Sequence, residues 1–338
     1  MNQVHSATRR SDWLVATITR TMRALHAPRS SMEPLQHDKQ VTAKGLANLV
    51  TVYLIWGSTY LAIRFAVREG AGIAPFALGA MRTLMAGSVL LGWAALRGVR
   101  IRLTRAEFVT LAVAGLLMWP GANGLVNWAE QRADSSYAAL LVGALPIWAA
   151  LIDALWRRQR PSWRLIAFLV IGFIGIGLLT VPKLLSAEGA DLVTILMLIA
   201  APITWAIGTL LQIHRPVSVS PLVSSAYLHL LGGVGFAILF VVTKEPWPTP
   251  TAQAWGALVY LTIAGSIIAF TAYVQALHLL PTHIAMTYAY VNPVVAVILG
   301  WMLLREEMSF AVLAGMGLIM LGVWGVFRER YHRQPATL

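Results

Sequence analysis

Ten apolar runs, each long enough to cross a bilayer and joined by short links, narrow this chain to one kind of fold. They cover 46–66, 75–96, 107–129, 136–156, 163–181, 192–213, 219–242, 253–278, 283–304 and 309–327. A soluble chain would have to bury nearly every run on all sides. Only 12% of the residues are charged and the mean hydropathy is +0.68, beyond what a water-soluble core of this size requires. The expected class is an all-α polytopic membrane protein, because a helix satisfies its own backbone groups in lipid. No long soluble domain separates the runs, so function has to reside in the helix bundle.

The net charge of +12 does not mark a nucleic-acid partner, because the basic residues are scattered among the links. They gather in alternate links: Arg97, Arg100, Arg102 and Arg105, then Arg157, Arg158, Arg160 and Arg164, then Arg215, and finally Arg328, Arg330 and Arg333. The opposite links hold Arg68, Arg132, Lys183, Lys244 and Arg305. The positive-inside rule then predicts a multi-pass protein of the cytoplasmic (inner) membrane with both termini cytoplasmic. Without cysteine, disulfides, thiolate chemistry and Cys-based metal sites are excluded.

Residues 1–44 form a polar extension with Arg9, Arg10, Arg20, Arg23 and Arg29 among scattered apolar residues. The spacing fits a weak amphipathic helix on an anionic surface, a disordered arm, or sequence preceding a start at Met22 or Met32. It lacks the unbroken apolar core of a secretory signal.

The two halves repeat. Leu-Leu-Val-Gly-Ala-Leu-Pro146 in the fourth run parallels Tyr-Ala-Tyr-Val-Asn-Pro293 in the ninth, 147 residues on. Trp56 aligns with Trp205 at an offset of 149, and Ala114-Gly115 with Ala264-Gly265 at 150. The repeats are read as 45–182 and 190–328, followed by a tail at 329–338. Five spans is an odd number, so the second copy would enter the membrane upside down. Inverted repeats supply two equivalent arrangements, one open to each side, which is the basis of alternating access.

Polar and aromatic side chains inside the runs mark candidate lining, since polarity at that depth is tolerated only against protein or a wet cavity. At 100° per residue, Trp119, Asn123, Asn127 and Glu130 fall within about 80° of one another on the third run. Trp56, Thr59 and Tyr60 share a face of the first run, and Trp205 and Gln212 share one of the sixth. Trp148 of the fourth run and Tyr273 of the eighth, with Tyr288 and Asn292 of the ninth, complete the candidate substrate-binding set. Tyr288 shares a helical face with Asn292 and Tyr290 does not, so Tyr288 is the tyrosine expected beside it.

Proline removes a backbone donor and frees the carbonyl four residues earlier. Pro146 and Pro293, at repeat-equivalent positions, are therefore expected hinges, with Pro120 and Pro202 as further kinks. Gly172, Gly175 and Gly177, and Gly315, Gly317, Gly322 and Gly325, allow close helix approach and point to packing or to a homodimer face. No Asp or Glu falls at mid-span, and Asp153 is read as an i,i+4 partner of Arg157. His229 and His278 are isolated, so neither a metal site nor a cofactor is expected, and no nucleophile stands beside a base at working spacing.

Tyr53-Leu-Ile-Trp-Gly-Ser-Thr-Tyr-Leu-Ala-Ile-Arg64 in the first run, Tyr288-Ala-Tyr-Val-Asn-Pro-Val-Val-Ala-Val in the ninth and Asn123-Gly-Leu-Val-Asn-Trp-Ala-Glu130 in the third resemble segments of the drug/metabolite transporter superfamily. The likeness is to its EamA-type bacterial members, including amino-acid and aromatic-metabolite exporters, and extends over about residues 46–327. The resemblance implies ten helices in a basket-like fold, a cavity lined by spans one, three, four, six, eight and nine, and peripheral spans five and ten.

The expected function is secondary transport of amino acids or similar small metabolites, in the export direction. The partners are the solute and the lipid bilayer. Drugs, nucleotide sugars and sugar phosphates are the alternative solutes, and an intramembrane enzyme or a channel is the alternative class. A mid-span cation beside an anion cradle is not evident, which counts against sugar phosphates. Arg64 and Arg82 are the two residues that keep them open.

Overall fold

The computed structural model describes residues 42–158, 162–185, 192–280, 282–285, 287–306 and 308–332. The expectations for residues 1–41 and for 333–338 lie outside the described residues, as does the side chain of Tyr290.

All regular structure among the described residues is helical. In chain order the helices are α1 (Ala43–Val67), α2 (Pro75–Leu96), α3 (Arg105–Ala129), α4 (Ser135–Trp156), α5 (Trp163–Leu185) and α6 (Leu192–His214). They continue with α7 (Pro221–Val242), α8 (Ala252–Leu279), the single turn α9 (Thr282–Ala285), α10 (Tyr288–Leu299) with its π extension Gly300–Leu304, and α11 (Phe310–His332). Seven of these, α1 to α4 and α6 to α8, are long and apolar enough to span a membrane. Shorter apolar helical segments occupy Trp163–Leu178, Val291–Leu304 and Phe310–Gly325.

α1, α3 and α8 start earlier than the apolar runs because capping carries the first turn into polar sequence. Thr42 accepts a hydrogen bond from Gly45 N at 3.1 Å. Thr104 and Glu107 form a reciprocal capping box at α3. Ser220 and Thr251 cap α7 and α8 through Val223 N and Ala254 N.

Three of the long helices, α3, α4 and α8, are interrupted and the shorter α10 follows a turn, and these breaks determine where side chains point. In α4 the helix stops at Val142, turns at Gly143-Ala144 and restarts at Leu145. Pro146 is the second residue of the new segment, where its missing N–H leaves nothing unpaired. In α3, Pro120 sits in a π turn over Trp119–Asn123. The Gly121 carbonyl there accepts from Thr204 Oγ1 at 2.8 Å. A proline-free π segment, Leu261–Ile268, interrupts α8, the repeat counterpart of α3. Pro293 lies within α10 a few residues after the turn at Thr287. By contrast Pro202 is carried inside an unbroken α6.

Glycines bring particular helices together. A β-carbon on Gly57 of α1 would lie 2.6 Å from Val295 Cβ of α10, and one on Gly208 of α6 would lie 2.7 Å from Met118 Cγ of α3. A β-carbon on Gly322 of α11 would meet Gly172 Cα of α5 at 2.8 Å, and one on Gly175 would meet Ile319 N at 2.8 Å. Backbone against backbone leaves no room to yield, so these glycines seat α5 on α11 within the chain. Gly177 and Gly317 face open space instead.

Candidate functional site

One partly open cavity runs between the two halves, enclosing about 740 Å³ with its mouth included. Its walls come from α1 (Trp56, Thr59, Tyr60, Ile63), α3 (Trp119, Asn123, Val126), α4 (Gly143, Leu145), α6 (Ala201, Trp205) and α10 (Tyr288, Asn292, Pro293). Arg82 of α2 completes them.

Trp56 is the centre of the aromatic wall. Its ring stands edge-on to Trp205 at 5.7 Å and to Tyr288 at 5.2 Å, and lies 4.9 Å from Tyr273. The two tryptophans aligned between the repeats are therefore direct neighbours. Trp56 Nε1 donates to the Gly265 carbonyl at 3.0 Å, inside the π segment of α8. That bond fixes the ring plane and leaves its apolar surface for the cavity. Trp119 adds a second wall, 6.4 Å from Trp205 and backed by Phe270 at 5.3 Å and the His229 ring at 4.4 Å.

Arg82 brings charge into this apolar setting. It is 3% exposed, and its Nε donates to Ser266 Oγ at 2.7 Å. Its Nη1 reaches Asn123 Oδ1 at 3.4 Å, and the guanidinium carbon lies 5.1 Å from the Trp119 ring. Four further buried polar atoms of lining residues, Trp119 Nε1, Trp205 Nε1, Tyr288 Oη and Asn292 Oδ1, have no hydrogen-bond partner in the protein.

Of the residues singled out from sequence, Trp56, Thr59, Tyr60, Trp119, Asn123, Trp205, Tyr288, Asn292 and Pro293 meet at this cavity. The others sit elsewhere. The π turn after Trp119 rotates the rest of α3, so Asn123 and Val126 face inward while Asn127 turns away and donates to Pro75 O at 3.2 Å. A constant 100° per residue could not anticipate that. Gln212 donates to Met118 Sδ at 3.1 Å and to Gly208 O at 3.2 Å. Trp148 packs on Phe173 of α5 at 5.0 Å. Tyr273 stands behind Trp56, its hydroxyl 3.3 Å from Thr209 Oγ1, so α8 supports the wall without supplying lining. Pro146 is one residue beyond the lining position Leu145.

Arg82, which the sequence left open together with Arg64 and outside the candidate substrate-binding set, lines the cavity. The signal was available, since an arginine eight residues into an apolar run is costly unless it faces the bundle interior. Arg64, the other arginine within a run, donates from Nη1 to the Glu130 carbonyl at 2.5 Å instead. Glu130 is itself wholly buried, both carboxylate oxygens lacking a hydrogen-bond partner. Asp153 pairs with Arg157 at 3.1 Å as its spacing suggests, and also meets His214 Nε2 at 3.1 Å. Among the described residues no cluster of His, Asp and Glu could hold a metal ion.

The profile of the EamA-like transporter family matches this sequence twice, over residues 43–181 and again over 192–328. The chain belongs to the EamA-like transporter family. It is 34% identical over 289 residues to the uncharacterized inner membrane transporter YedA of Escherichia coli (strain K12), covering 84% of this chain and 90% of YedA. It is 26% identical to the S-adenosylmethionine/S-adenosylhomocysteine transporter of Chlamydia trachomatis serovar L2, over 82% of this chain and 88% of that one. It is 24% identical to a probable terminal-alkyne amino-acid exporter of Streptantibioticus cattleyicolor, over 86% and 96% of the respective chains. Family membership and the seven apolar helices make it a multi-pass membrane protein.

In this EamA-like transporter, carboxylates tie the halves together away from the cavity. Glu306, after α10, accepts from Ser135 N and Oγ at 2.8 and 2.7 Å and from Ser136 N at 3.0 Å, capping α4. Glu245, after α7, accepts from Phe76 N at 3.1 Å and from Ala77 N at 2.9 Å, capping α2. Glu107 of α3 accepts from Ser218 N and Oγ at 3.0 and 2.5 Å, just before α7. Each contact joins a carboxylate in one repeat to the other repeat, and Glu306 and Glu245 do so at a helix start, where free N–H groups favour an anion.

Proposed function

We propose that this EamA-like transporter is a secondary transporter that moves amino acids or similar small amphipathic metabolites out across the cytoplasmic membrane by alternating access. In this reading ten spans form two inverted five-helix repeats, both termini are cytoplasmic, and the chain performs no catalytic step. One observation carries the proposal: aromatic and polar side chains from both repeats converge on a single cavity, with Trp56 against Trp205 across the repeat boundary. Such walls suit a solute with an apolar body and a polar end. The break at Gly143-Ala144 and the turn at Thr287 each precede one of the repeat-equivalent prolines, Pro146 and Pro293, and supply the hinges in this reading. The amino-acid derivative carried by the Chlamydia relative and the amino-acid solute of the Streptantibioticus relative favour this solute class.

The test is uptake of a labelled metabolite panel into proteoliposomes, with and without a pH or sodium gradient. Flux of at least one amino acid or related metabolite is expected. Trp205→Ala should weaken its apparent affinity. No flux of any panel member would refute the transport reading, and unchanged flux in Trp205→Ala would remove that residue from the site.

A further inference from the structure

Among the described residues that line the cavity, Arg82 alone carries a charge. It is held by neutral groups: the Ser266 hydroxyl at 2.7 Å, the Asn123 amide oxygen at 3.4 Å and the face of Trp119 at 5.1 Å. No carboxylate among the described residues forms an ion pair with it. A guanidinium has five N–H donors, and only two are used here, one of them through a long bond. Removing an unpaired cation from water is strongly unfavourable. A residue that only stapled α2 to α8 through Ser266 would need no charge.

The seat for this cation is built. A β-carbon on Gly265 would lie 3.1 Å from Arg82 Nη2, so glycine at that position makes room for the fork. The carbonyl of the same Gly265 holds the Trp56 indole, which ties the position of the charge to that of the aromatic wall. Beside the guanidinium, Trp119 Nε1 is a buried donor with no acceptor in the protein. Arg82, with unused donors, and Trp119, with an unused indole N–H, thus line one cavity, and an anionic group there would supply the acceptor they lack. A planar carboxylate matches the guanidinium fork.

We propose that Arg82 is the anion anchor of the cavity and that the transported solute is an organic carboxylate. Its carboxylate would be taken by Arg82 and Trp119 Nε1, and its apolar body would lie against Trp56, Trp205 and Tyr288. The inference rests on the transporter reading and narrows its solutes: the carboxylate is the required group. An α-ammonium is optional, because no lining carboxylate is present to pair with it.

The test is equilibrium binding to the purified full chain in detergent, followed by tryptophan fluorescence, with acid and amide pairs. The pairs are phenylacetate and phenylacetamide, indoleacetate and indoleacetamide, and phenylalanine and phenylalaninamide, with phenethylamine added. At least one acid should bind about tenfold tighter than its amide in the wild type, as expected for a charge-assisted contact. Arg82→Gln should reduce that preference to about twofold or less, and Arg82→Lys should retain part of it. Melting curves of the unliganded variants report whether they fold. Equal binding of acid and amide in the wild type, which needs no variant, would overturn the proposal. So would binding of no acid in the panel, or an unchanged preference in a folded Arg82→Gln. The readout requires no translocation, so an acid preference without proteoliposome flux would refute the transport reading alone. Flux of amines with the affinity of acids would refute the anchor alone.

Discussion

Gly143 of α4 and Pro293 of α10 meet so closely that a β-carbon on Gly143 would lie 2.6 Å from Pro293 Cγ, and both residues line the cavity. The break in one repeat therefore packs against the proline of the other. Gly143→Ala should overpack this contact and destabilise the protein by about 1–3 kcal/mol. It should lower the melting temperature in detergent more than Gly177→Ala, whose added carbon meets nothing within 4 Å. Solute flux should slow in parallel. Equal melting temperatures for the two variants would show that the contact yields freely.

Trp56→Phe keeps an aromatic ring in the wall but removes the donor to Gly265 O. A buried carbonyl that loses its partner costs about 1–3 kcal/mol. The variant should melt earlier and bind solute more weakly, because Gly265 also gives Arg82 its seat. Unchanged melting and affinity would mean that the indole bond has no structural role.

Glu306 joins the end of α10 to the start of α4 through three hydrogen bonds. Glu306→Gln keeps one acceptor oxygen and replaces the other by a donor, so at least one of these bonds is lost. The chain has no cysteine, so a reporter thiol can be placed without background. In an Ala139→Cys protein, where the reporter lines the cavity, the added Glu306→Gln change should speed labelling by a membrane-impermeant maleimide. An unchanged labelling rate from both sides would show that this link does not restrain access.

Glu245 gives a pH prediction. Partial burial in the loop after α7 raises its carboxyl above the ordinary range, while the Phe76 and Ala77 N–H groups act in the opposite sense. A folded-state value above the unfolded one contributes stability below the unfolded pKa of about 4.3, and that contribution is lost as pH rises through the folded value. Between about pH 4 and pH 7 the wild-type melting temperature should fall more than that of Glu245→Gln. Coincident pH profiles would remove Glu245 as the cause.

The sequence by itself determined the helical membrane class, the positions of the apolar helices and the doubling of the chain. These follow from hydropathy over windows of about twenty residues and from local breakers such as Pro146, which act through the chain's own backbone. It also identified Trp56, Trp205, Tyr288 and Asn292, because aromatic and amide groups deep in apolar runs need an interior partner. Only the tertiary structure decided which way Asn127 points, since the π turn at Trp119–Asn123 breaks the helical register on which a wheel depends. It likewise decided that Gln212 and Trp148 pack against neighbouring helices, that Gly322 seats α11 on Gly172, and that Arg82 enters the cavity. Those outcomes depend on neighbours far away in sequence. Ser266, which holds Arg82 in place, lies 184 residues further along the chain.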